Sequence, residues 1–130
     1  MRTISENRQS KINIDKSTFF GFTFYIYSEQ DIKDILTSIQ AEHPQAFMVY
    51  AYCLVENKAL QEERPNPPSP RPDSQALYDL IKKKDLCNCL LIVVGYFDKV
   101  NFLANELDKI YVDIISENLE NNIIEFESDQ

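Results

Sequence analysis

Residues 87–94, Cys-Asn-Cys-Leu-Leu-Ile-Val-Val, form the most apolar run in the chain and decide the class of fold. The run is bounded by a charged turn on one side and Gly95 on the other, which is typical of a strand buried on both faces. Residues 47–55 are apolar at both alternating positions, and residues 19–27 are rich in aromatic side chains that favour strands. These runs predict a β-sheet with a buried interior. Ile12 and Ile14 alternate with polar residues and extend the strand pattern toward the N-terminus.

Three other segments have the apolar spacing of an amphipathic helix. The first follows Ser28, a good capping residue, and should end near His43, because the residue before Pro44 is driven out of the helical region. The second follows Ser74, and the third spans about residues 101–119. The expected inward residues are Ile32, Ile35, Leu36 and Ile39 in the first helix, Leu77, Leu80 and Ile81 in the second, and Leu103, Leu107, Ile110, Tyr111, Ile114 and Ile115 in the third.

The order of these elements predicts an α+β fold, with a mixed sheet of about four strands and three helices mainly on one face. We expect a polar N-terminal segment (1–11), one domain (12–119) and an acidic tail (120–130). Within the domain, residues 57–73 hold five of the six prolines, which favours an extended surface loop. The short apolar patch at residues 123–126 could add to a strand edge of this sheet or of a partner.

Composition limits the kinds of binding partner and the cellular compartment that we expect for this protein. The net charge of -8 opposes phosphate backbones, so nucleic acid is an unlikely partner. Cys53, Cys87 and Cys89 are an odd number of cysteines in apolar stretches, which suits reduced thiols in the cytoplasm. No apolar run approaches the roughly 20 residues that span a bilayer, so we expect a cytoplasmic protein with no membrane partner.

Three short motifs resemble one known domain family. Residues 16–19, Lys-Ser-Thr-Phe, open the first long strand. Residues 43–46, His-Pro-Gln-Ala, precede Tyr-Ala-Tyr at 50–52, and a valine-rich strand runs into Gly-Tyr-Phe at 95–97. The set is similar to the Lys-Ser-x-Phe, His-Pro-x-Ala, Tyr-Ala-Tyr and Arg-Tyr-Phe-Gly-Gly motifs of the Impact/YigZ family, and the resemblance covers residues 12–119.

The departures from the family pattern lie in its glycine loops. The family's acidic, glycine-containing loop aligns with residues 64–73, where only Pro68 and Ser69 match. Its second glycine block aligns with residues 95–111, where Tyr96, Phe97, Leu107 and Tyr111 match and each family glycine is replaced. Glycine permits positive φ or close approach to a bound molecule, so the replacements should close any cleft that those loops lined.

The resemblance implies a fold like the second domain of ribosomal protein S5. It also implies a role. Eukaryotic Impact proteins bind a large ribosome-associated activator and so restrain the starvation-responsive initiation-factor kinase, and some bind actin. Bacterial relatives have been suggested as hydrolases or nucleic-acid binders.

The residues themselves predict no catalytic, cofactor or metal site. Gly21 and Gly95 are the only glycines, so no phosphate-binding glycine loop can be written. A Cys–His hydrolase would need His43, the only histidine, beside a reactive thiolate, but the three cysteines sit in apolar runs. Cys87 and Cys89 lack a second ligand pair for zinc.

We therefore expect a non-catalytic protein-interaction module, with a ribosome-associated protein as its partner. The alternatives are a vestigial nucleic-acid or ribosome-associated domain and, less favoured, a hydrolase. We expect the proline-rich loop, the turn at residues 96–99 and the third helix to make the protein contacts. The competing interpretation of the loop is a stiff connector, and that of the basic residues is solubility together with helix capping. The predicted partner-binding residues are Arg64, Arg71, Tyr96, Phe97, Asp98, Lys99 and Lys109.

Overall fold

The computed structural model of the chain describes residues 1–55, 59–63, 74–97 and 102–126. In chain order, the elements are β1 (Arg2–Ile4), β2 (Arg8–Ile14), β3 (Ser17–Tyr25), α1 (Glu29–Glu42), β4 (Phe47–Leu54), β5 (Ala59–Glu63), α2 (Gln75–Lys83), β6 (Cys89–Tyr96), α3 (Ala104–Leu119) and β7 (Ile123–Glu125). The α+β class and the three helices are confirmed.

The main sheet has five described strands in the order β2-β3-β6-β4-β5, and each of its pairings is antiparallel. The sequence predicted about four strands and a mixed sheet. The fifth strand, β5, lies within the predicted proline-rich loop. β3 and β4 do run parallel to each other across the α1 crossover, but β6 inserts between them and is antiparallel to both, as in a split βαβ unit.

The central strand β6 is the predicted apolar run, and Leu91 and Val93 are fully buried. Alternate residues of the sheet face two separate cores. On one side, α2 and α3 pack on Phe19, Val49 and Leu91. On the other side, α1 packs on Phe22, Met48 and Ile92. Among the described elements, two helices therefore cover one face of the sheet and a single helix, α1, covers the other.

Local capping explains where the helices begin. Ser28 accepts a hydrogen bond from the Asp31 backbone, and Asp31 accepts one from the Tyr27 backbone, so α1 begins directly after β3. The third helix begins at Ala104, three residues later than predicted. Leu103 is its N-cap residue, and the Leu103 N–H donates to the Glu106 carboxylate. The predicted inward position of Leu103 is wrong, because its side chain is 65% exposed at the cap, outside the helical stripe.

The chain ends pair with each other. Strand β1, inside the predicted polar segment, is antiparallel to β7, inside the predicted acidic tail. Buried Asn122 holds the pair: its Oδ1 accepts the Glu6 N–H at 3.0 Å and its Nδ2 donates to the Glu6 carbonyl at 2.9 Å. The apolar patch was expected to add to an edge of the main sheet or of a partner. It pairs instead with β1 in a separate two-stranded sheet, and sequence patterning did not indicate β1.

Candidate functional site

An aromatic corner forms where β3, β6 and the turn after α1 meet. His43 follows the last turn of α1, and its backbone N–H donates to the Ile39 carbonyl. Its ring nitrogen Nδ1 lies 2.5 Å from the hydroxyl of Tyr96 at the end of β6. The imidazole also packs on Phe20, with ring centroids 5.0 Å apart, and on Phe22 at 6.2 Å. We call Phe20, Phe22, His43 and Tyr96 the aromatic corner.

The aromatic corner is only partly covered. Phe20, His43 and Tyr96 are half-buried, and the ammonium of Lys11 lies 5.6 Å from the centre of the Phe20 ring. That distance allows a cation–π interaction at the surface. Desolvation by burial raises the pKa of Tyr96 above its usual range.

Two grooves flank α1 on the same side of the sheet. One, of about 220 Å³, is lined by Ile32, Leu36, Tyr50 and Tyr52, with Glu29 and Lys33 at its rim. The other, also of about 220 Å³, is lined by Phe22, Phe24, Ile35 and Ile39, with Gln9, Ser38 and Glu42 at its rim. We call α1, its two grooves and the aromatic corner the α1 face.

The α1 face is acidic. Helix α1 carries four carboxylates and a single lysine, which are Glu29, Asp31, Asp34, Glu42 and Lys33. Asp34 and Glu42 are exposed, and Glu42 lies at the rim of one groove. The carboxylates outnumber Lys33 and the Lys11 ammonium at the aromatic corner, so the α1 face favours a partner of net positive charge.

The structure separates the predicted partner-binding residues. Tyr96 points to the α1 face. Phe97 points to the other side of the sheet and stacks on Phe47, with ring centroids 4.7 Å apart. Lys109 lies on the exposed side of α3 and pairs with Asp113 at 3.1 Å. The described members therefore do not share one surface, and Arg64, Arg71, Asp98 and Lys99 lie outside the described residues.

The comparisons with known proteins agree with this architecture. A family model described as the Impact N-terminal domain matches residues 15–119, most of the 130-residue chain. The chain belongs to the Impact family. A search of curated proteins found no match.

Two solved structures are similar to this Impact-family chain. The crystal structure of a hypothetical protein superposes with a TM-score of 0.77 and 18% identity, over 93% of this chain and 60% of that one. The two-domain translational regulator Yih1 gives a TM-score of 0.49 and 16% identity, over 93% of this chain and 47% of that one. At such identity the first structure shows a shared fold, and the Impact-family chain spans only part of either protein.

Sequence reasoning missed His43, Phe20 and Lys11 as members of this Impact-family surface. The sequence indicates His43 as part of the His-Pro-x-Ala motif and as a potential catalytic base, and gives no sign of its place on this surface. The available signal was the alternation of Phe20, Phe22 and Phe24, which places all three on one face of a strand. That they meet His43 could not be read from spacing, since His43 and Tyr96 are 53 residues apart.

The three cysteines lie at the opposite end of the sheet. β4 runs from Phe47, near His43, to Cys53, which is roughly 20 Å along a strand rising about 3.3 Å per residue. Cys53 is opposite Cys89 in the β4–β6 ladder, and the Cys53 sulfur touches that of Cys87. His43 therefore cannot act as a base for any of the three thiols in this arrangement.

Within the described residues of this Impact-family chain, no three His, Cys, Asp or Glu side chains gather closely enough to hold a metal ion. Among the described helices, none is both long and apolar enough to cross a membrane.

Proposed function

We propose that this Impact-family chain is a non-catalytic protein-interaction module in translational control, and that its α1 face binds a ribosome-associated protein in the cytoplasm. Family membership supports the regulatory role, because Impact proteins of eukaryotes act by binding a ribosome-associated activator. The cytoplasm suits the three cysteines, which are free thiols in the structure.

The observation that carries the proposal is the partial cover of one sheet face. Two helices, α2 and α3, cover the opposite face and leave a groove of about 310 Å³ between them, whereas α1 alone among the described helices covers this face and leaves a groove on each of its sides. Half-buried Phe24 and Tyr50 line these grooves, and large aromatic residues supply much of the binding energy at protein interfaces. The acidic rim favours a basic partner, and ribosome-associated proteins are commonly basic because they lie against RNA phosphates.

The geometry also supports a non-catalytic role. His43 donates to or accepts from Tyr96 and packs on phenylalanine rings, while the thiols lie at the far end of β4. A base and a nucleophile must lie within hydrogen-bonding reach of each other or of one water. The family's glycine loops, which would suit close approach of a ligand, have been replaced in this chain.

Site-specific photo-crosslinking tests this function. A photoreactive amino acid placed at Lys33, on the rim of one groove, should capture a ribosome-associated protein from cytoplasmic extract. The same amino acid at Lys109, on α3 across the sheet, is the control and should not capture it. Mass spectrometry identifies the captured protein, and ribonuclease treatment of the extract should leave the adduct intact.

Three outcomes would count against the proposal. Equal capture from Lys33 and Lys109 would show that the α1 face is not the docking surface. Capture that disappears after ribonuclease treatment would favour the nucleic-acid-binding alternative. Hydrolysis of an ester or peptide that is lost in His43→Ala would show that the protein is an enzyme.

A further inference from the structure

Two cysteine sulfurs are in contact at the end of the sheet away from the aromatic corner. The Sγ atoms of Cys53, in β4, and Cys87, in the loop after α2, are 2.8 Å apart although the residues are separated by 34 positions. Both are free thiols, and Cys53 is the more exposed of the two. Nothing in the proposed interaction function uses this pair.

Backbone hydrogen bonds hold the two cysteines in register. The Cys87 N–H donates to the Arg2 carbonyl of β1 at 2.8 Å. The neighbouring Asn88 accepts the Val55 N–H through Oδ1 at 3.0 Å and the Ile26 N–H through its carbonyl at 3.0 Å. Because Val55 follows β4 directly, the Cys87 loop is tied to the strand end that carries Cys53.

We propose that Cys53 and Cys87 form a reversible disulfide, a redox modification site that links β4 to the loop after α2. The oxidant would be a small disulfide such as oxidised glutathione. The Cys53 thiolate attacks one glutathione sulfur, forming a mixed disulfide and releasing one glutathione thiolate. The Cys87 thiolate then attacks the Cys53 sulfur and releases the second glutathione thiolate, so two electrons pass from the protein to the oxidant.

The solvent exposure of the cysteines determines which thiol reacts first. Cys87 is 6% exposed and Cys89 is fully buried, so the small disulfide reaches Cys53 first. Burial, with the hydrogen bond to Cys87 and the nearby charges of Cys87 and Asp85 adding to it, raises the pKa of Cys53 to about 12. Since the thiolate is the attacking species, the first step is slow at neutral pH and the site responds to sustained oxidation.

The cross-link would join the two ends of the segment that contains β5 and α2. A disulfide across a loop of this length restricts the unfolded chain and raises the melting temperature. The proposed site is independent of the α1 face, so either proposal can fail without the other.

The test is oxidation of the folded protein with oxidised glutathione. The thiol count should fall from three to one, and the mass should fall by two hydrogen atoms with no glutathione retained. Dithiothreitol should restore all three thiols. Tandem mass spectrometry of the linked tryptic peptides can cleave on either side of Asn88, which separates Cys87 from Cys89.

Two matched variants give the control. Cys89→Ala should still form the cross-link and gain several degrees in melting temperature on oxidation. Cys87→Ala should stop at the Cys53–glutathione adduct with no such gain. The proposal is overturned if the wild-type protein keeps three thiols or stops at the adduct, or if the linked peptide contains Cys89 in place of Cys87.

Discussion

The ring of Phe47 lies directly over Gly95, so closely that a Cβ atom on Gly95 would stand 2.1 Å from Cε1 of Phe47. The two residues are direct partners in the β4–β6 ladder. Where the family pattern has arginine, this chain has glycine, and the space is filled by the Phe47 ring stacked on Phe97. Glycine is therefore required here by close approach of a side chain, since its φ is not positive.

Gly95→Ala should lower the free energy of unfolding by about 1–3 kcal/mol, because the new methyl group overpacks against an aromatic ring that its neighbours hold in place. Urea unfolding measures the loss. Combining it with Phe47→Leu should give less than the sum of the two single effects, since the smaller side chain removes the clash. Strictly additive losses would contradict this account of Gly95.

Asn122→Ala should separate the chain ends from the rest of the fold. The buried amide accepts the Glu6 N–H and donates to the carbonyls of Glu6 and Asn118, so its loss removes three hydrogen bonds, one of them buried. We expect a loss of about 2 kcal/mol in the free energy of unfolding. Hydrogen exchange should become faster at the β1 amides, whose protection depends on β7 and the Cys87 loop.

Asn121→Gly is the control for the Asn122 variant. Asn121 is exposed and has a φ of 55°, a backbone conformation that glycine adopts without strain. Its replacement should change stability by no more than a few tenths of a kcal/mol. Equal effects of the two substitutions would show that turn conformation, and not the buried amide, holds β1 against β7.

Stability should fall as the solution becomes alkaline. The folded state holds the Cys53 proton up to a pKa of about 12, whereas the ordinary value is 9.0. Between those values the unfolded chain binds fewer protons than the folded one, so the free energy of unfolding decreases as pH rises. Full burial raises the pKa of Cys89 and acts in the same direction.

Urea unfolding in the presence of a reductant, from about pH 8 to about pH 11, measures this dependence. Below the ordinary pKa the contribution is constant, so the curve should be flat there and steepen above it. Cys53→Ala should make the alkaline slope shallower, because one of the retained protons is removed. An unchanged slope in that variant would show that Cys53 does not contribute.

Charge reversal on α1 should slow association with the natural partner. Asp34→Lys changes an exposed carboxylate on the α1 face, and charges at an interface rim act mainly on the rate of encounter. Glu117→Lys makes the same change of charge on the exposed side of α3 and should leave the rate unaltered. Surface plasmon resonance at low salt, where charges are least screened, compares the two variants. Equal slowing would indicate a general charge effect with no role for the α1 face.

Local patterning predicted most of the elements of this fold. The buried run that became β6, the aromatic strand β3 and the apolar stripes of the three helices follow from periodicity and capping, which act over a few residues. Strands β1 and β7 were not predicted as a pair. Short strands such as β1 and β7 have too few residues for a periodic signal, so their formation depends on the partner that each finds in the folded chain.

The candidate surface was predicted only in part, since Tyr96 was expected and His43, Phe20 and Lys11 were not. The order of strands, with β6 between β3 and β4, brings together residues that are far apart in the sequence, and no local pattern contains that order. The His43–Tyr96 bond spans 53 positions and the Cys53–Cys87 contact spans 34. Neighbouring residues therefore determine the periodicity of burial. These pairs depend on long-range strand pairing, which costs chain entropy and is stable only because burial in the complete core offsets that cost.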